Sequence, residues 1–281
     1  MKVQILYQAL YSYTETVSFS PHLFRLFPKV DQSVRVHRLD FQTNIDAAVN
    51  FRRDLFDNEI ASCFYPGSSS LLAASLKIEI EIQPKNAFGF LLEKHALTLP
   101  LAYSPAELRV LQPYLQTGSS LTLPFWKAPK TPQPTTEALV ELNSAIRENL
   151  RYERRDEGVA LSPLETIDRG SGACRDFSVL LVEALRGMGL AARLASGYLC
   201  EFGDAEKVAE GALHAWVETY LPGAGWIGLD PTNGTFCDHH HLTAAVGLTP
   251  DDISPMLGSY FHPTQVPKQT MSASLSILPH E

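Results

Sequence analysis

The sequence predicts an α+β protein in two parts, a β-rich N-terminal domain followed by a domain of mixed helices and strands. Three observations lead to this prediction. Alternating segments occupy the front of the chain, a proline-rich stretch follows them, and apolar stripes with helical spacing lie beyond it. Alternation with a period of two indicates strands with one buried face, whereas apolar residues three and four apart indicate helices.

The front of the chain alternates most clearly at 34–39 and at 76–82. Turn-forming pairs such as Ser20-Pro21 and Pro66-Gly67 separate these segments. Short alternating strands at such spacing predict an antiparallel sandwich or barrel over residues 1–123. A single helical piece is expected late in this domain, within 105–115.

Prolines mark the boundary between the two predicted parts. They stand at positions 124, 129, 132 and 134, with Trp126 among them. This composition is typical of a stiff linker. We therefore predict a linker over 124–136 and a second domain over 137–281.

The second domain begins with a helix that Thr135 and Thr136 are expected to cap, because apolar residues follow at 139, 142, 146 and 150. A glycine loop at 168–172 then precedes a helix that begins near Cys174 and stops at Gly189. Extended segments are predicted over 193–200, 213–221 and 226–230. The turn Pro222-Gly223-Ala224-Gly225 should join the last two as an antiparallel hairpin. The run 271–277 alternates like a further strand, which either domain could accommodate.

The composition argues against nucleic acid and anionic membranes as partners, because both favour basic surfaces and the net charge is −8. No apolar run approaches the ~20 residues of a membrane span. Gln4 and Gln8 interrupt the short apolar stretch at the N-terminus, so no signal peptide is expected. The four cysteines form no CxxC pair and no dense scaffold, which favours free thiols in a reducing cytoplasm.

Cys174 is the candidate nucleophile. It follows the glycine loop at the first turn of an amphipathic helix, where free N–H groups and the helix dipole stabilise a thiolate. The same N–H groups could hold the oxyanion that forms when a carbonyl is attacked. A buried structural cysteine is the alternative that this position alone leaves open.

His214 and Asp230 are candidates for the base and for the group that orients it. His214 lies near the start of one predicted strand and Asp230 at the end of the next, so an antiparallel hairpin brings them to the same end of the sheet. Asp230 could then orient the imidazole while its other nitrogen faces the thiolate. Taken alone, a strand histidine is usually satisfied locally, and an aspartate before a proline usually marks a turn. Their joint arrangement predicts a triad of Cys174, His214 and Asp230.

The segments that carry these residues resemble the transglutaminase-like superfamily, in the family's order of Cys, His and Asp. The resembling segments are 170–181, 191–199, 213–218 and 225–234. The β-rich front half is similar to the N-terminal domain of bacterial transglutaminase-like proteins described as cysteine proteases. The resemblance implies a papain-like α+β core, with the triad roles on Cys174, His214 and Asp230.

The resemblance implies acyl transfer through a cysteine thioester and leaves the reaction open, since the superfamily includes acyl transferases, proteases and amidases. Hydrolysis of a peptide or isopeptide bond is favoured, because the bacterial look-alikes are described as proteases and water is abundant unless a site excludes it. The alternatives are protein-glutamine cross-linking and a binding protein with an idle triad. The expected partner is a peptide or protein amide, and homo-oligomers are left open.

For three weaker features we favour a structural role over a role in the chemistry. Asp176 is expected to cap its helix or to pair with Arg175. Trp126 could donate from its indole, as a tryptophan does in animal transglutaminases, but packing within the linker is favoured. The run 237–241 (Cys-Asp-His-His-His) holds zinc-type ligands, yet adjacent residues seldom converge on one tetrahedral ion, so no metal is predicted. No cofactor is expected either, because no dinucleotide-binding or EF-hand motif occurs.

Overall fold

The computed structural model describes residues 1–118, 121–128, 131–155, 158–200, 209–210, 212–264 and 267–279. Pro129 of the predicted linker lies outside these residues. The α-helices in the described ranges are α1 (Pro105–Leu111), α2 (Thr135–Asn149), α3 (Pro163–Arg169) and α4 (Cys174–Gly187). Short 3-10 turns occur at Lys94–Ala96, Gln112–Leu115 and Pro250–Ile253.

The strands concentrate in the front third of the chain and again after α4. Those before α4 are β1 (Lys2–Phe19), β2 (His22–Phe24), β3 (Val34–Thr43), β4 (Ala48–Arg53), β5 (Glu59–Phe64), β6 (Ser68–Ile82), β7 (Thr98–Leu99), β8 (Gln133–Pro134), β9 (Arg151–Tyr152) and β10 (Ser171–Gly172). Those after it are β11 (Ala192–Leu199), β12 (Ala209–Glu210), β13 (Ala212–Leu221), β14 (Gly225–Asp230), β15 (Thr235–Phe236), β16 (His241–Gly247), β17 (Met256–Leu257), β18 (Tyr260–Phe261) and β19 (Gln269–Pro279).

Two antiparallel sheets form the front of the molecule. In the described chain, one has the order β12-β19-β1-β6-β3, with β18 also on β1, and the other has the order β17-β2-β5-β4. The alternation that predicted strands is visible in β6, where Ile78 and Ile80 are buried between the half-buried Lys77, Glu79 and Glu81. The predicted α+β class and the β-rich front are therefore confirmed.

Strand β19 returns to this front region. It pairs antiparallel with β1 from Val3 opposite Pro279 to Tyr13 opposite Gln269. The alternating run 271–277 thus completes the first sheet, and residues from both predicted parts of the chain build that sheet.

A further antiparallel sheet, of order β15-β14-β13-β11-β16 in the described residues, carries α4 on one face. Leu181 and Leu185 of the helix join Ala215 and Val217 of β13 in one apolar cluster. The predicted hairpin is confirmed, because β13 and β14 pair from Leu221 opposite Gly225 to Val217 opposite Leu229.

Helix α2 begins at Thr135, one of the two residues predicted to cap it. Thr135 and Thr136 lie inside the first turn, and Pro134 occupies the N-cap position without a side-chain cap. The prediction that the threonines cap the helix is wrong, because the Thr135 hydroxyl instead donates to the carbonyl of Ala96 at 2.6 Å. That buried bond ties the start of α2 to the segment before β7.

The front region also covers the second face of the sheet that carries α4. Tyr198 of β11 is fully buried and donates from its hydroxyl to the carbonyl of Leu26 at 2.7 Å. Asn58 bridges the backbone of Val246 in β16, accepting from its N–H at 2.9 Å and donating to its carbonyl at 2.7 Å. As a result Trp216, on the face of β13 away from α4, is buried as well. Among the described helices, none is long and apolar enough to cross a membrane.

Candidate active site

Cys174 is the first residue of α4, as predicted. The two-residue strand β10 lies parallel to β9, with Ser171 opposite Arg151, and holds the approach to the helix. Ala173 follows in extended backbone conformation as the N-cap. The thiol is therefore presented at a helix N-terminus, where the N–H groups of the first turn have no carbonyl of a preceding turn to bond.

Asp176 caps the start of α4 from inside the protein. Its fully buried carboxylate accepts the backbone N–H of Ala173 at 2.8 Å and that of Leu161 at 2.8 Å. The guanidinium of Arg155 donates to both carboxylate oxygens, at 2.7 and 2.9 Å. The predicted capping role is thus confirmed, and Arg155 is an ion-pair partner that the sequence did not indicate. The Arg175 side chain donates to the carbonyl of Arg155 at 2.7 Å, which adds a second contact between the first turn of α4 and the segment of Arg155.

The structure brings the three predicted residues together. His214 Nε2 lies 2.9 Å from Asp230 Oδ2, and because a carboxylate can only accept, this nitrogen carries the proton. The Cys174 thiol lies beside the same imidazole, close enough for each group to shift the pKa of the other. His214 and Asp230 are both buried. Thiol, imidazole and carboxylate therefore lie next to one another, the arrangement that activates a sulfur nucleophile.

The carboxylate of Asp230 accepts hydrogen bonds on both oxygens. Oδ1 takes the backbone N–H groups of Thr232 and Asn233 at 2.9 and 3.2 Å, and Oδ2 takes the side-chain amide of Asn233 at 2.8 Å. From α2, Asn143 donates to the Asp230 carbonyl at 3.2 Å. The turn after β14 thus fixes both the backbone and the side chain of this residue.

His241 is a site residue that sequence reasoning missed. Its Nε2 lies 3.1 Å from Asp230 Oδ2, the oxygen that His214 also uses. The signal was present in the sequence, since Leu242, Ala244 and Val246 alternate as a strand and His241 opens it, just as His214 lies near the start of β13. Its place in a run of three histidines concealed it.

The electrostatics of the site favour a thiolate beside an imidazolium. Burial tends to raise the pKa of Cys174, but the hydrogen bond and charge of His214 and the N–H groups of Ala215 and Arg175 outweigh it and lower that pKa. Burial tends to lower the pKa of His214, but its bonds to Asp230 and Cys174 raise it to about 10. The pKa of Asp230 is held well below its usual range, because its bonds to His214 and His241 overcome the opposite effect of burial.

Aromatic rings support the two histidines. The Trp216 ring stacks at 6.3 Å from the His214 ring and meets the His241 ring edge-on at 5.4 Å. Phe56 of the front region packs against the cluster that contains Trp216. Trp126 is partly buried against the apolar core cluster that Cys174 also borders, so its contacts extend beyond the linker within which packing was expected.

The run 237–241 splits into members with different surroundings. Cys237 packs toward Trp216, and burial raises the pKa of its thiol. Asp238, His239 and His240 bring one donor atom each to within 4.8 Å of one another, closer than adjacent residues were expected to come. Asp238 Oδ1 already accepts from the backbone N–H of His240 at 2.9 Å and from its Nδ1 at 2.8 Å. These contacts satisfy that oxygen by hydrogen bonds within the loop.

Comparisons with known proteins agree with this architecture. A model of the transglutaminase-like superfamily matches residues 126–231, which include all three predicted site residues. A model of the bacterial transglutaminase-like N-terminal region matches residues 3–83. A crystal structure described as a putative cysteine protease from Cytophaga hutchinsonii matches with a TM-score of 0.71 at 18% identity, covering 100% of this chain and 92% of that one. At this identity the match shows the fold.

The curated relatives are similar over parts of their length. An uncharacterized protein of Mycobacterium leprae is 32% identical over 163 residues, 57% of this chain and 53% of that protein. A protein-glutamine gamma-glutamyltransferase of Pseudomonas aeruginosa is 36% identical over 69 residues, 23% of this chain and 10% of that protein. The chain spans about half the length of the first of these relatives. Both family models are matched in order along the chain, a transglutaminase-like core behind a bacterial transglutaminase-like N-terminal region.

Proposed function

We propose that this protein hydrolyses a peptide or isopeptide bond through a thioester on Cys174. The observation that carries the proposal is the contact of His214 with both Cys174 and Asp230 at the N-terminus of α4. A nucleophile, a base and a group that orients the base are the parts that thiol-dependent acyl transfer requires. The family and the fold support the same class of chemistry.

In the proposed reaction the Cys174 thiolate attacks the amide carbonyl and a carbon–sulfur bond forms. N–H groups in the first turn of α4 hold the oxyanion. The carbon–nitrogen bond then breaks as protonated His214 gives its proton to the leaving amine. Neutral His214 next takes a proton from water, the resulting hydroxide attacks the thioester, and the carbon–sulfur bond breaks to release the acid and regenerate the thiolate.

Protein-glutamine cross-linking is the second candidate, because an amine that replaces water in the last step forms a new amide. The similarity to a gamma-glutamyltransferase over 69 residues supports cross-linking as this second candidate. For the front region we propose substrate presentation or contact between copies of the chain, and a reducing cytoplasm remains the proposed location. The third candidate is a binding protein in which the three residues are idle.

Hydrolysis and amine incorporation should be screened side by side, with fluorogenic peptide and isopeptide substrates and a labelled primary amine, and with Cys174→Ala as the control. Product release that depends on Cys174 and proceeds without the amine supports the proposal. Covalent capture of the amine would favour cross-linking. A wild-type protein whose Cys174 alkylates rapidly yet turns over none of the substrates would favour the binding protein.

A further inference from the structure

Two histidines from different strands donate to one carboxylate oxygen. His214 Nε2 of β13 lies 2.9 Å from Asp230 Oδ2, and His241 Nε2 of β16 lies 3.1 Å from the same atom. Since a carboxylate only accepts, both nitrogens carry protons directed at Oδ2. Asn233 adds its amide to this oxygen at 2.8 Å.

His241 is held in this contact by its surroundings. Only 6% of its side chain is exposed, and its ring lies edge-on to Trp216. On its far side, Nδ1 is 3.7 Å from Asp238 Oδ1. Within the described residues Nδ1 has no hydrogen-bond partner, so Nε2 is the nitrogen through which the ring hydrogen bonds.

The orientation of Asp230 does not require His241. The N–H groups of Thr232 and Asn233 hold Oδ1, and the Asn233 amide holds Oδ2. The distinct effect of His241 falls on the charge of Oδ2, because each added donor withdraws electron density from an acceptor that several donors share. A carboxylate oxygen with an extra donor is a weaker partner for any one of them.

We propose that His241 is a positioning residue. By donating to the same oxygen, Oδ2, it weakens the hydrogen bond between Asp230 and His214. The inference rests on the proposed function of Cys174, His214 and Asp230. Among the described residues, the ionisable groups that interact with the His214 imidazole are Asp230 from β14 and Cys174 from α4, with His241 from β16 beyond Asp230 and Asp238 beyond His241. An imidazolium held less strongly is a stronger acid, so it gives its proton to the leaving amine more readily.

Two variants separate the hydrogen bond from the shape of the ring. His241→Phe keeps an aromatic ring against Trp216 and removes the donor. His241→Gln has an amide N–H that can reach the position of Nε2. The readout is the pH dependence of Cys174 alkylation by iodoacetamide, which needs no substrate. Its lower step reports thiolate formation and its upper step reports loss of the His214 proton. Thermal unfolding confirms that each variant is folded.

We expect His241→Phe to move the upper step to higher pH by about half a pH unit, and His241→Gln to leave it within error of the wild type. In the wild type, proton NMR should show separate low-field ring N–H signals for His214 and His241. The inference is overturned if His241→Phe leaves the step unmoved or lowers it, if Gln and Phe behave alike, or if the His241 signal is missing. A wild-type Cys174 that reacts no faster than Cys63 would overturn the proposed function, and the inference with it.

Discussion

The buried Asp176 carboxylate accepts the backbone N–H of Ala173, the residue directly before the candidate nucleophile, at 2.8 Å. The same side chain pairs with Arg155 and holds the N–H of Leu161. One carboxylate therefore joins the start of α4 to the loop before α3. These contacts of Asp176 fix the N-cap backbone from inside the protein, so the position of the thiol depends on them.

Asp176→Asn should lower the free energy of unfolding by about 2–4 kcal/mol, because an amide must turn its NH₂ toward a buried N–H donor and leaves Arg155 without its charge partner. Cys174 alkylation should slow as well. Urea unfolding measures the first effect. The matched control is Glu165→Gln, in which the exposed carboxylate of the α3 capping box becomes an amide that capping boxes accept. Equal losses in the two variants would contradict a special role for Asp176.

The contacts of Asp176 were only partly predictable from the sequence. The place of Asp176 in the first helical turn suggested a cap from sequence alone. Its partner Arg155 lies 21 residues earlier, in a segment without periodicity, so no pattern linked the two. The hairpin that aligns His214 with Asp230 was predictable, because alternation and the Pro222–Gly225 turn fix its register. His241 reaches Asp230 through pairing of β16 with β11, a long-range pairing that local patterns do not specify.

Gly172 lies where a side chain has no room. A Cβ there would come within 2.9 Å of the Asp176 Cβ and 3.2 Å of the Phe177 ring. Gly172→Ala should therefore cost about 1–3 kcal/mol of stability by overpacking, and it should reduce Cys174 reactivity by shifting the start of α4. Chemical denaturation and alkylation rates measure the two effects.

The control is Gly187→Ala at the other end of the same helix, where a Cβ meets nothing within 4 Å. That change should be neutral or should stabilise the protein by up to about 1 kcal/mol, because alanine is the better helix former. If Gly172→Ala is as well tolerated as Gly187→Ala, the close packing at β10 does not position the thiol.

Cys174 should be the cysteine that iodoacetamide labels at neutral pH in the folded protein. Burial raises the pKa of Cys63 to about 11 and that of Cys200 to about 12, and it also raises the pKa of Cys237. The pKa of Cys174 is lowered, since His214 and backbone N–H groups outweigh burial. Mass spectrometry of partly labelled protein gives the order of reaction, and labelling in urea should remove the preference. Uniform labelling of the native protein would rule out a selectively activated Cys174.

The ion pair of Cys174 and His214 should give a plateau in stability against pH. The folded pKa of His214 is raised from 6.5 to about 10, so its contribution is complete below 6.5 and is lost as the pH rises through about 10. The folded pKa of Cys174 is lowered from 9.0, so its contribution is complete above 9.0 and is lost as the pH falls. Where the thiolate and the imidazolium coexist between about 6.5 and 9, the pair and the unfolded chain bind equal numbers of protons, and the two slopes cancel.

Urea unfolding of wild type and Cys174→Ser across this range provides the measurement. The variant keeps His214 beside Asp230 but has no thiolate, so its stability should fall relative to wild type as the pH rises above about 6.5. Parallel curves for the two proteins would show that Cys174 and His214 do not titrate as a pair.

The front region should stabilise the site through Asn58. This side chain is fully buried and bonds both backbone groups of Val246, in the strand that begins with His241. Asn58→Ala leaves a buried N–H and a buried carbonyl unpaired, so the free energy of unfolding should fall by about 2–4 kcal/mol. Because β16 carries His241 toward Asp230, the upper step of the Cys174 alkylation profile should move as well.

The control is Asn44→Ala, since Asn44 makes the same kind of backbone bridge, to Leu71 and Ala73, at the exposed surface where water can replace it. Asn44→Ala should cost little and leave the profile unchanged. An Asn58 variant that loses stability while keeping the wild-type profile would mean that the front region supports the fold without supporting the site.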